Sequence, residues 1–564
     1  MEQPASTEIN EKPAPTSPSS SSSSSNGKGE HGFPLRDDDC CPPSPSPPDE
    51  TLTIVSFEPN DPANPHNWST RAKSLIFFAA FLTTTTTSYF STLSSNFSPP
   101  LPESFAVPDP SGPQRVLPAS LYMAGFIFGP LVWAPLSESP HVGRWRTLVI
   151  GAVLFVLVSI GQAVVDNWAG FLILRFLAGI FGSPPVSVYG GVIADLYEGE
   201  VIRGRVMMYW SATTFVGPLG APIIAGFASE KLGRRAVFWW IYPFFLELGR
   251  LSQAVADIRV PRISMSLPVA SLISVVLMPE TLASMILRKR AATLNKQYAN
   301  TGKRFVAPSD LKREVAWAAY KTTLSRPWQL LFGEMVVSLS CTYLGFIYAV
   351  FYMLVQIFPA VFQGVYGFSP GMSGILFTIM GLGTIIGSII LLWYDGVAVR
   401  LGARHPTKRE EYLRLPLVCA GGPIFVLSML WLGWSAKADI HWLVPLASMV
   451  PYGVAYHLIY VAIVNYVADA YGIYSASALA AMSMTRSVAG TLLPLAIEDM
   501  IAALGIAWSC TLLAGISALL ALVPFGFIAY GEKIRAASRF SATLKLEAGQ
   551  DGGVLGRVTS LPAV

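Results

Sequence analysis

The sequence predicts an all-α membrane protein with twelve transmembrane helices in two halves of six. Hydrophobic residues make up 52% of the 564-residue chain and charged residues only 13%, whereas soluble domains carry roughly 25% charge. Apolar runs recur at about the 20-residue length that crosses a bilayer as a helix. A polar segment, 282–328, divides these runs into two sets of equal number. So much apolar surface cannot be buried inside a water-soluble fold, and a bilayer must solvate it.

Hydropathy places six spans on each side of this polar segment. The first six lie near 74–93, 116–137, 147–165, 169–194, 206–228 and 237–278. The second six lie near 330–357, 371–394, 415–434, 441–466, 476–500 and 508–530. The predicted units are a disordered N-terminal tail at 1–70, an N-terminal half at 71–281, a central loop at 282–328, a C-terminal half at 329–531 and a C-terminal tail at 532–564. Residues 1–50 are rich in Ser and Pro and too poor in apolar residues to form a core.

The sixth span is too long for one crossing, because 39 residues separate Trp239 from Pro279. Its middle, residues 249–263, carries four charges and a helix-breaking proline: Arg250, Asp257, Arg259, Arg262 and Pro261. Each charge costs at least about 2.5 kcal/mol in hydrocarbon. We therefore expect this segment to leave the membrane core as a loop, or to be a translated intron that is not part of the working protein.

Lys and Arg set the predicted orientation, because in short loops they favour the cytoplasmic side of a membrane. The central loop carries ten of them against two acidic residues. Basic residues also flank the first span and follow the second: Arg71, Lys73, Arg144 and Arg146. The central loop and both tails are therefore predicted to be cytoplasmic.

Several classes of protein are excluded by what the sequence lacks. No Gly-rich phosphate loop with a following Lys is present, so ATP is not the expected energy source. The six His and five Cys show no metal-ligand spacing. The sequence also shows no nucleophile paired with a base, the arrangement that would indicate an enzyme. The net charge of +4 is concentrated near span ends, which reflects topology and not nucleic-acid binding. We expect a monomer without metal or cofactor.

Short motifs in the spans and loops carry a family resemblance. They include GPLVWAPLSE, RFLAGIFGSPP, ADLY, RGR, GPLGAP and PET in the first half, and SRPWQLLFGE, NYVADAYGIYSASALAA, TRSVAGTLLPL and YGEKIR in the second. In this order they resemble the fungal drug:proton antiporters of the major facilitator superfamily, and more narrowly the 12-helix DHA1 group. That group includes multidrug, benomyl, fluconazole and polyamine exporters and pumps of secondary-metabolite gene clusters. The resemblance covers roughly residues 55 to 540 and implies a major facilitator fold.

The resemblance implies a charge latch that joins the two halves at the cytoplasmic face. Four residues occupy its positions: Glu138, Arg144, Asp195 and Arg203. Breaking ion pairs at such an interface would bias the equilibrium between inward-open and outward-open states. The alternative is that these charges only set topology.

Arg175 lies several residues from either end of the fourth span, where a charge is costly unless it faces a cavity or a partner. The resemblance links this Arg to proton transfer. The alternative is a salt-bridged or snorkelling side chain. In the fifth span the resemblance implies a hinge at four residues: Gly217, Pro218, Gly220 and Pro222. Tight helix packing without a role in exchange is the alternative there.

The expected substrate cavity is aromatic and mildly polar. Its predicted lining comes from spans seven and ten: Tyr343, Tyr348, Tyr352, Gln356, Asn465 and Tyr466. Gln356 stands where related exporters often have Glu, so no carboxylate titrates there. The Tyr residues could instead pack against a neighbouring helix. Glu334 and Asp469 are interpreted as structural partners of Arg326 or Arg486.

Together these features favour a proton-coupled exporter of small apolar or amphipathic organic compounds that works by alternating access. Its expected partners are the small-molecule substrate, protons and the lipid bilayer. The expected location is the plasma membrane, with the vacuolar membrane less favoured. A polyamine exporter and a nutrient sensor built on a transporter fold remain alternatives.

Overall fold

The computed structural model describes residues 51–58, 60–98, 100–107, 113–198, 200–240, 266–298, 303–311, 316–404, 409–471 and 475–536. The helices of the first half are α1 Thr70–Thr92, α2 Leu101–Ser104, α3 Pro113–Glu138, α4 Gly143–Val164, α5 Trp168–Gly182, α6 Pro184–Leu196, α7 Glu200–Trp240 and α8 Ser266–Val276. The connecting segment contains α9 Ala283–Gln297, strand β2 Lys303–Val306 and α10 Pro308–Leu311. Strand β1, Thr51–Ile54, precedes α1.

The second half repeats the helical pattern of the first. Its helices are α11 Ala316–Gly333, α12 Met335–Pro359, α13 Pro370–Phe377, α14 Ile379–Arg404, α15 Arg409–Ser435, α16 Leu443–Ala447, α17 Met449–Tyr471, α18 Ser475–Leu492, α19 Ile497–Leu520 and α20 Leu522–Ala536. The apolar core runs through both halves, and most side chains of α12 and α17 are buried in it.

Nine helices within the described residues are long and apolar enough to cross a membrane. One of them, Ser477–Gly531, covers 55 residues, which is about twice the length that one crossing needs at 1.5 Å per residue. Gly505 interrupts it with a φ of 74°, so this range supplies two crossings. The helical pattern therefore agrees with the predicted fold class.

Helix α1 is 23 residues long but carries the polar run Thr83–Thr87. The Thr83 hydroxyl donates to Ala79 O at 2.6 Å, and the Thr86 hydroxyl donates to Leu82 O at 2.7 Å. Hydroxyls bonded to their own helix backbone are satisfied without water. Thr83 and Thr86 are therefore compatible with the predicted first span.

The predicted spans differ from the helices where Gly or Pro intervenes. The fourth span is two helices, α5 and α6, which meet at Ser183 just before Pro184. Helix α7 continues past the fifth span until Gly233, whose φ of 79° breaks it. The insert predicted at 249–263 lies outside the described residues, as do the tails at 1–50 and 537–564, so those predictions remain predictions.

Residues 51–70 are not the disordered tail that the sequence predicts. Strand β1 pairs in parallel with β2, with Thr51 opposite Lys303 and Ile54 opposite Val306. Asp61 also accepts a hydrogen bond from Arg290 of α9. Because β1 obtains its partner about 250 residues along the chain, no local pattern indicates it. The predicted central loop 282–328 likewise contains helices and a strand.

The two ends of the helical bundle have different characters, and we name them for reference. The basic face carries the turn 139–142 and helix α9. The far face carries Asn96 and the turn at Gly367. At the far face α7 meets α13 so closely that a Cβ on Gly374 would lie within 3.0 Å of the Pro222 backbone. Backbone contact of this kind closes the interface between the halves at that end.

Candidate functional site

A small cavity lies between the two halves near the middle of the helices. The first half contributes α1, α3, α6 and α7, and the second half contributes α12, α17 and α18. The lining side chains are Ser88, Ser91, Met123, Phe126, Val186, Thr214, Phe215, Pro218, Tyr348, Phe351, Tyr352, Tyr456, Tyr460 and Arg486. Aromatic and apolar walls with a few polar groups are typical of sites for small organic ligands.

Tyr348 and Tyr352 stand one turn apart on α12 and connect the halves across the cavity. The Tyr352 hydroxyl donates to Ser91 Oγ of α1 at 2.8 Å. The two tyrosine hydroxyls lie 3.3 Å apart, and the Tyr348 hydroxyl lies 3.7 Å from Met123 Sδ of α3. These contacts join side chains of the second half to side chains of the first.

Helix α17 supplies an aromatic wall because Tyr452, Tyr456 and Tyr460 recur every fourth residue on one face. The Tyr456 ring stacks with that of Tyr460 at a centroid distance of 6.4 Å and with that of Tyr452 at 6.2 Å. Phe215 of α7 meets Tyr456 and Tyr460 edge to face, at 5.2 Å from each. Within the described residues, the Tyr456 hydroxyl has no hydrogen-bond partner.

Arg486 of α18 places a cation at the cavity, and about nine-tenths of its surface is buried. Its Nη1 donates to the Tyr460 hydroxyl, and its Nη2 lies 3.5 Å from Ser483 Oγ. The guanidinium also lies 4.7 Å from the Tyr348 ring centroid. The sequence interpretation of Arg486 as the partner of an acidic residue is wrong, because its contacts are aromatic and hydroxyl groups.

Of the six predicted cavity residues, only Tyr348 and Tyr352 are among the side chains that line the cavity. Tyr343 is buried against α15, where its hydroxyl would lie 3.3 Å from a Cβ on Gly422. Tyr466 stacks on Phe527 at 5.9 Å. Gln356 and Asn465, which are partly buried, also lie outside the lining.

Helical rotation explains this separation. Tyr343 precedes Tyr348 by five residues, and Asn465 follows Tyr460 by five, so each is rotated by about 140° from the cavity side. Gln356 lies on the same side as Tyr352 but one turn beyond the cavity. The sequence analysis did not assign Tyr456, Tyr460 or Arg486 to the cavity. The recurrence of Tyr at every fourth residue of α17 could have indicated that these tyrosine side chains share one face.

Arg175 is completely buried within the first half. Its Nε donates to Pro118 O at 3.0 Å, and its Nη2 donates to Phe90 O at 2.9 Å and to Ser94 Oγ at 3.1 Å. The guanidinium lies 4.9 Å from the Tyr122 ring centroid. Nη1 has no partner among the described residues. Arg175 therefore bridges α5 to α1 and α3, and it neither snorkels nor pairs with a described carboxylate.

The Arg144 guanidinium and the Asp195 carboxylate form an ion pair of 2.5 Å at the basic face. Glu280, which was not selected from the sequence, accepts the backbone N–H of Arg144 at 3.1 Å and that of Trp145 at 3.2 Å. It thereby caps the start of α4, where Gly143 has a φ of 80°. All of these partners belong to the first half, so this cluster stabilises that half internally.

The other two predicted latch residues, Glu138 and Arg203, differ from each other in their contacts. Glu138 ends α3 close enough to Arg144 and to Arg326 for both cations to attract it. Because Arg326 belongs to α11, this attraction crosses from one half to the other. Arg203 is exposed near the start of α7 and forms no ion pair with a described residue. The structure therefore brings together Glu138, Arg144 and Asp195 but not Arg203.

The four predicted hinge residues lie in the continuous helical part of α7: Gly217, Pro218, Gly220 and Pro222. A Cβ on Gly217 would lie within 3.0 Å of the α1 backbone at Thr85 and Tyr89. Pro218 lines the cavity. Gly220 has open space beside it, with only the Tyr89 ring within 4 Å. The segment thus combines close packing on α1 with prolines that weaken the helix.

At the far face, Asn96 connects the halves through both ends of its amide. Its Nδ2 donates to Pro222 O of α7 and to Pro370 O of α13, each at 2.8 Å. Its Oδ1 accepts a hydrogen bond from Gln363 Nε2 at 2.7 Å. Pro222 and Pro370 belong to different halves, so we call Asn96 and Gln363 the far-face clamp.

The two carboxylates of the second half are structural in their contacts. The Tyr471 hydroxyl donates to Glu334 at 3.2 Å. Asp469 pairs with Arg414 of α15 at 3.2 Å, a partner that the sequence interpretation did not name. Neither residue lines the cavity. Within the described residues no group of His, Cys, Asp and Glu has the arrangement of a metal site.

Known proteins match this chain over most of its length. The sequence profile of the Major Facilitator Superfamily matches residues 74–494. The efflux pump FUB11 of Gibberella fujikuroi is 34% identical over 75% of this chain and 69% of its own length. The MFS-type efflux pump MFS2 of Trichophyton rubrum is 33% identical over 86% of this chain and 77% of its own. The multidrug transporter mdrA of Aspergillus fumigatus is 33% identical over 88% and 76%, respectively.

Solved structures agree on the fold. The xylose transporter XylE of E. coli, in a partially occluded inward-open conformation, matches with a TM-score of 0.54 at 17% identity. The match covers 81% of this chain and 98% of XylE. With a family profile across both halves and relatives above 30% identity over most of the chain, this protein belongs to the Major Facilitator Superfamily and is a membrane-spanning transporter similar to fungal efflux pumps.

Proposed function

We propose that this protein is a proton-coupled exporter of small amphipathic organic compounds that works by alternating access. The observation that carries the proposal is the aromatic cavity between the halves, closed at the far face by contact of α7 with α13. Rocking the halves about such a cavity would expose it to each face in turn. The named activities of the fungal relatives, efflux and multidrug transport, support the direction of transport.

The proposal also assigns roles to the residues selected above. Arg175 would act in proton coupling, because its Nη1 is buried in the first half and has no hydrogen-bond partner among the described residues. Glu138, with Arg144 and Asp195 behind it, would hold the basic face closed in the alternate state through Arg326. The helix-weakening prolines Pro218 and Pro222 would let α7 bend as the halves rock.

Location and assembly complete the proposal. We propose a monomer in the plasma membrane of a fungal cell, with the basic face in the cytoplasm. A polyamine exporter is disfavoured, since no carboxylate is among the described residues that line the cavity. A sensor without transport would bind compounds yet leave their accumulation unchanged.

Export is tested in a host that lacks its own efflux pumps. Expression should lower the accumulation of at least one amphipathic toxicant, measured with a radiolabelled compound. Collapse of the proton gradient with a protonophore should abolish the difference, because the sequence has no Gly-rich phosphate loop of the kind that binds ATP. Accumulation that is unchanged by expression across a broad panel would refute export, and export that persists without a gradient would refute the coupling.

A further inference from the structure

The central cavity contains one type of charge. Of the fourteen described side chains that line it, Arg486 is the only ionised one, and the others are aromatic, apolar or hydroxyl-bearing. The carboxylates Glu334 and Asp469, which contact Tyr471 and Arg414, are not among these lining side chains. A compound inside the cavity therefore meets a local field of positive sign.

The positive charge of Arg486 is only partly compensated. Its described neighbours are the rings of Tyr348 and Tyr460, the Tyr460 hydroxyl and the Ser483 hydroxyl at 3.5 Å. Aromatic faces attract a cation but do not neutralise it. Its Nε has no acceptor among the described residues. A buried guanidinium with an unmade hydrogen bond is strongly favoured to pair with an incoming anion.

A second donor lies at the same cavity. The Tyr456 side chain is almost completely buried, and its hydroxyl has no partner among the described residues. A guanidinium edge together with a phenol matches the acceptor oxygens of a planar oxyanion. The remaining wall is apolar, with Phe126, Phe215 and Phe351 available to a hydrophobic body.

We propose that the exported compounds are amphipathic organic acids, bound as anions with the carboxylate on Arg486 and the apolar body against Phe215 and Phe351. This deepens the proposed export function and rests on it for the direction of transport. The same arrangement disfavours cations, because a second positive charge beside Arg486 would be repelled in a poorly hydrated site. The cavity therefore discriminates by charge sign and is permissive toward the shape of the apolar body.

Three probes of nearly equal size test the charge preference: 2-naphthoic acid, 2-naphthamide and 2-naphthylmethylamine. Binding to the purified full-length protein is measured at pH 7 by equilibrium dialysis with radiolabelled compounds. The acid should bind about tenfold or more tightly than the amide, as expected for one added charge-assisted hydrogen bond. The amine should bind most weakly. Equal binding of the acid and the amide, or tighter binding of the amine, would overturn the inference.

Variants assign the preference to Arg486. Arg486→Gln should reduce the affinity for the acid to that for the amide and leave the amide affinity nearly unchanged. Arg486→Lys should keep a weaker preference for the acid, which decides the matter if the Gln variant does not fold. The matched control is Arg235→Gln, since Arg235 pairs with Asp166 outside the candidate spans and its loss should leave the preference intact. Full acid preference in Arg486→Gln would overturn the assignment.

Transport of the same three compounds separates this inference from the proposed function. Efflux of the neutral amide without any preference for the acid would overturn the inference and leave the export function standing. Acid-selective binding without transport of any probe would support the binding class and count against the proposed export, which the broad panel then decides. Both measurements use one preparation, reconstituted in proteoliposomes for the transport arm.

Discussion

At the scale of single residues, two buried arginines have different surroundings and therefore different expected roles. Arg175 donates to backbone carbonyls of α1 and α3 and is fully buried. Arg486 faces the cavity and contacts aromatic rings. A charge held by helix carbonyls within one half can respond when those helices shift, whereas a charge at the cavity responds to the ligand.

Replacing Arg175 by Ala should abolish transport while leaving the protein at the membrane. The change removes the positive charge of the guanidinium and the three hydrogen bonds by which it ties α5 to α1 and α3. Proteoliposome transport, normalised to protein content, measures the effect. Arg175→Lys keeps the charge without the fork, and we expect it to recover part of the activity at most. Normal transport in Arg175→Ala would return this residue to a packing role.

At the scale of elements, the start of α4 is capped by a carboxylate from a distant part of the chain. Glu280 accepts two backbone N–H groups at the start of α4 and two more from its own turn. An anion at a helix N-terminus is stabilised by the helix dipole and by the unpaired amides. The PET motif therefore fixes the segment after α8 to the base of α4.

Substituting Glu280→Gln should lower the stability of the first half by about 1 to 2 kcal/mol, because a neutral amide oxygen accepts these bonds less strongly. A lower apparent melting temperature of the detergent-solubilised protein reports the loss. Glu103→Gln is the matched control, since Glu103 forms a half-exposed pair with Arg115 and should have little effect. An unchanged melting temperature in Glu280→Gln would contradict the capping role.

Disrupting the contact between α7 and α13 should open the cavity to the far face. A Leu at Gly374 cannot fit against the backbone of Pro222, so Gly374→Leu should hold the halves apart at that end. With native cysteines replaced and Ser91→Cys as a reporter, labelling by an impermeant thiol reagent from the far face should rise several-fold. Gly515→Leu is the control, because that glycine has open space beside it. Unchanged labelling in Gly374→Leu would show that this contact does not close the far face.

At the scale of the whole molecule, hydropathy predicted the helices well and their rotation poorly. The helices exist where apolar runs are long enough to span a bilayer, so Met335–Pro359 overlaps most of its predicted span 330–357. Met449–Tyr471 overlaps the predicted span 441–466 but begins eight residues later and ends five residues later. A helix that is apolar all round gives no signal for the side that faces its neighbours. Tyr343 and Tyr466 were therefore placed at the cavity by residue type, although both pack elsewhere.

Long-range pairings were predicted only where the family resemblance grouped the residues. The ion pair of Arg144 with Asp195 joins positions that the family resemblance had grouped, and the structure places them in contact. The capping role of Glu280 and the pairing of β1 with β2 join segments without a shared local pattern. Such contacts depend on the folded arrangement of the helices, which composition and periodicity do not determine.

The last prediction concerns the orientation of the entire bundle. Helix α9 and the segment around it are basic and lie at one face, and Lys and Arg near span ends favour the cytoplasm. The twelve crossings predicted from hydropathy would put both termini on the same side as that face. Epitope tags at either terminus should therefore become accessible to antibody only after cells are permeabilised. A tag inserted at the far-face turn after Gly367 should be accessible in intact cells, and a terminal tag that is accessible there would reverse the proposed topology.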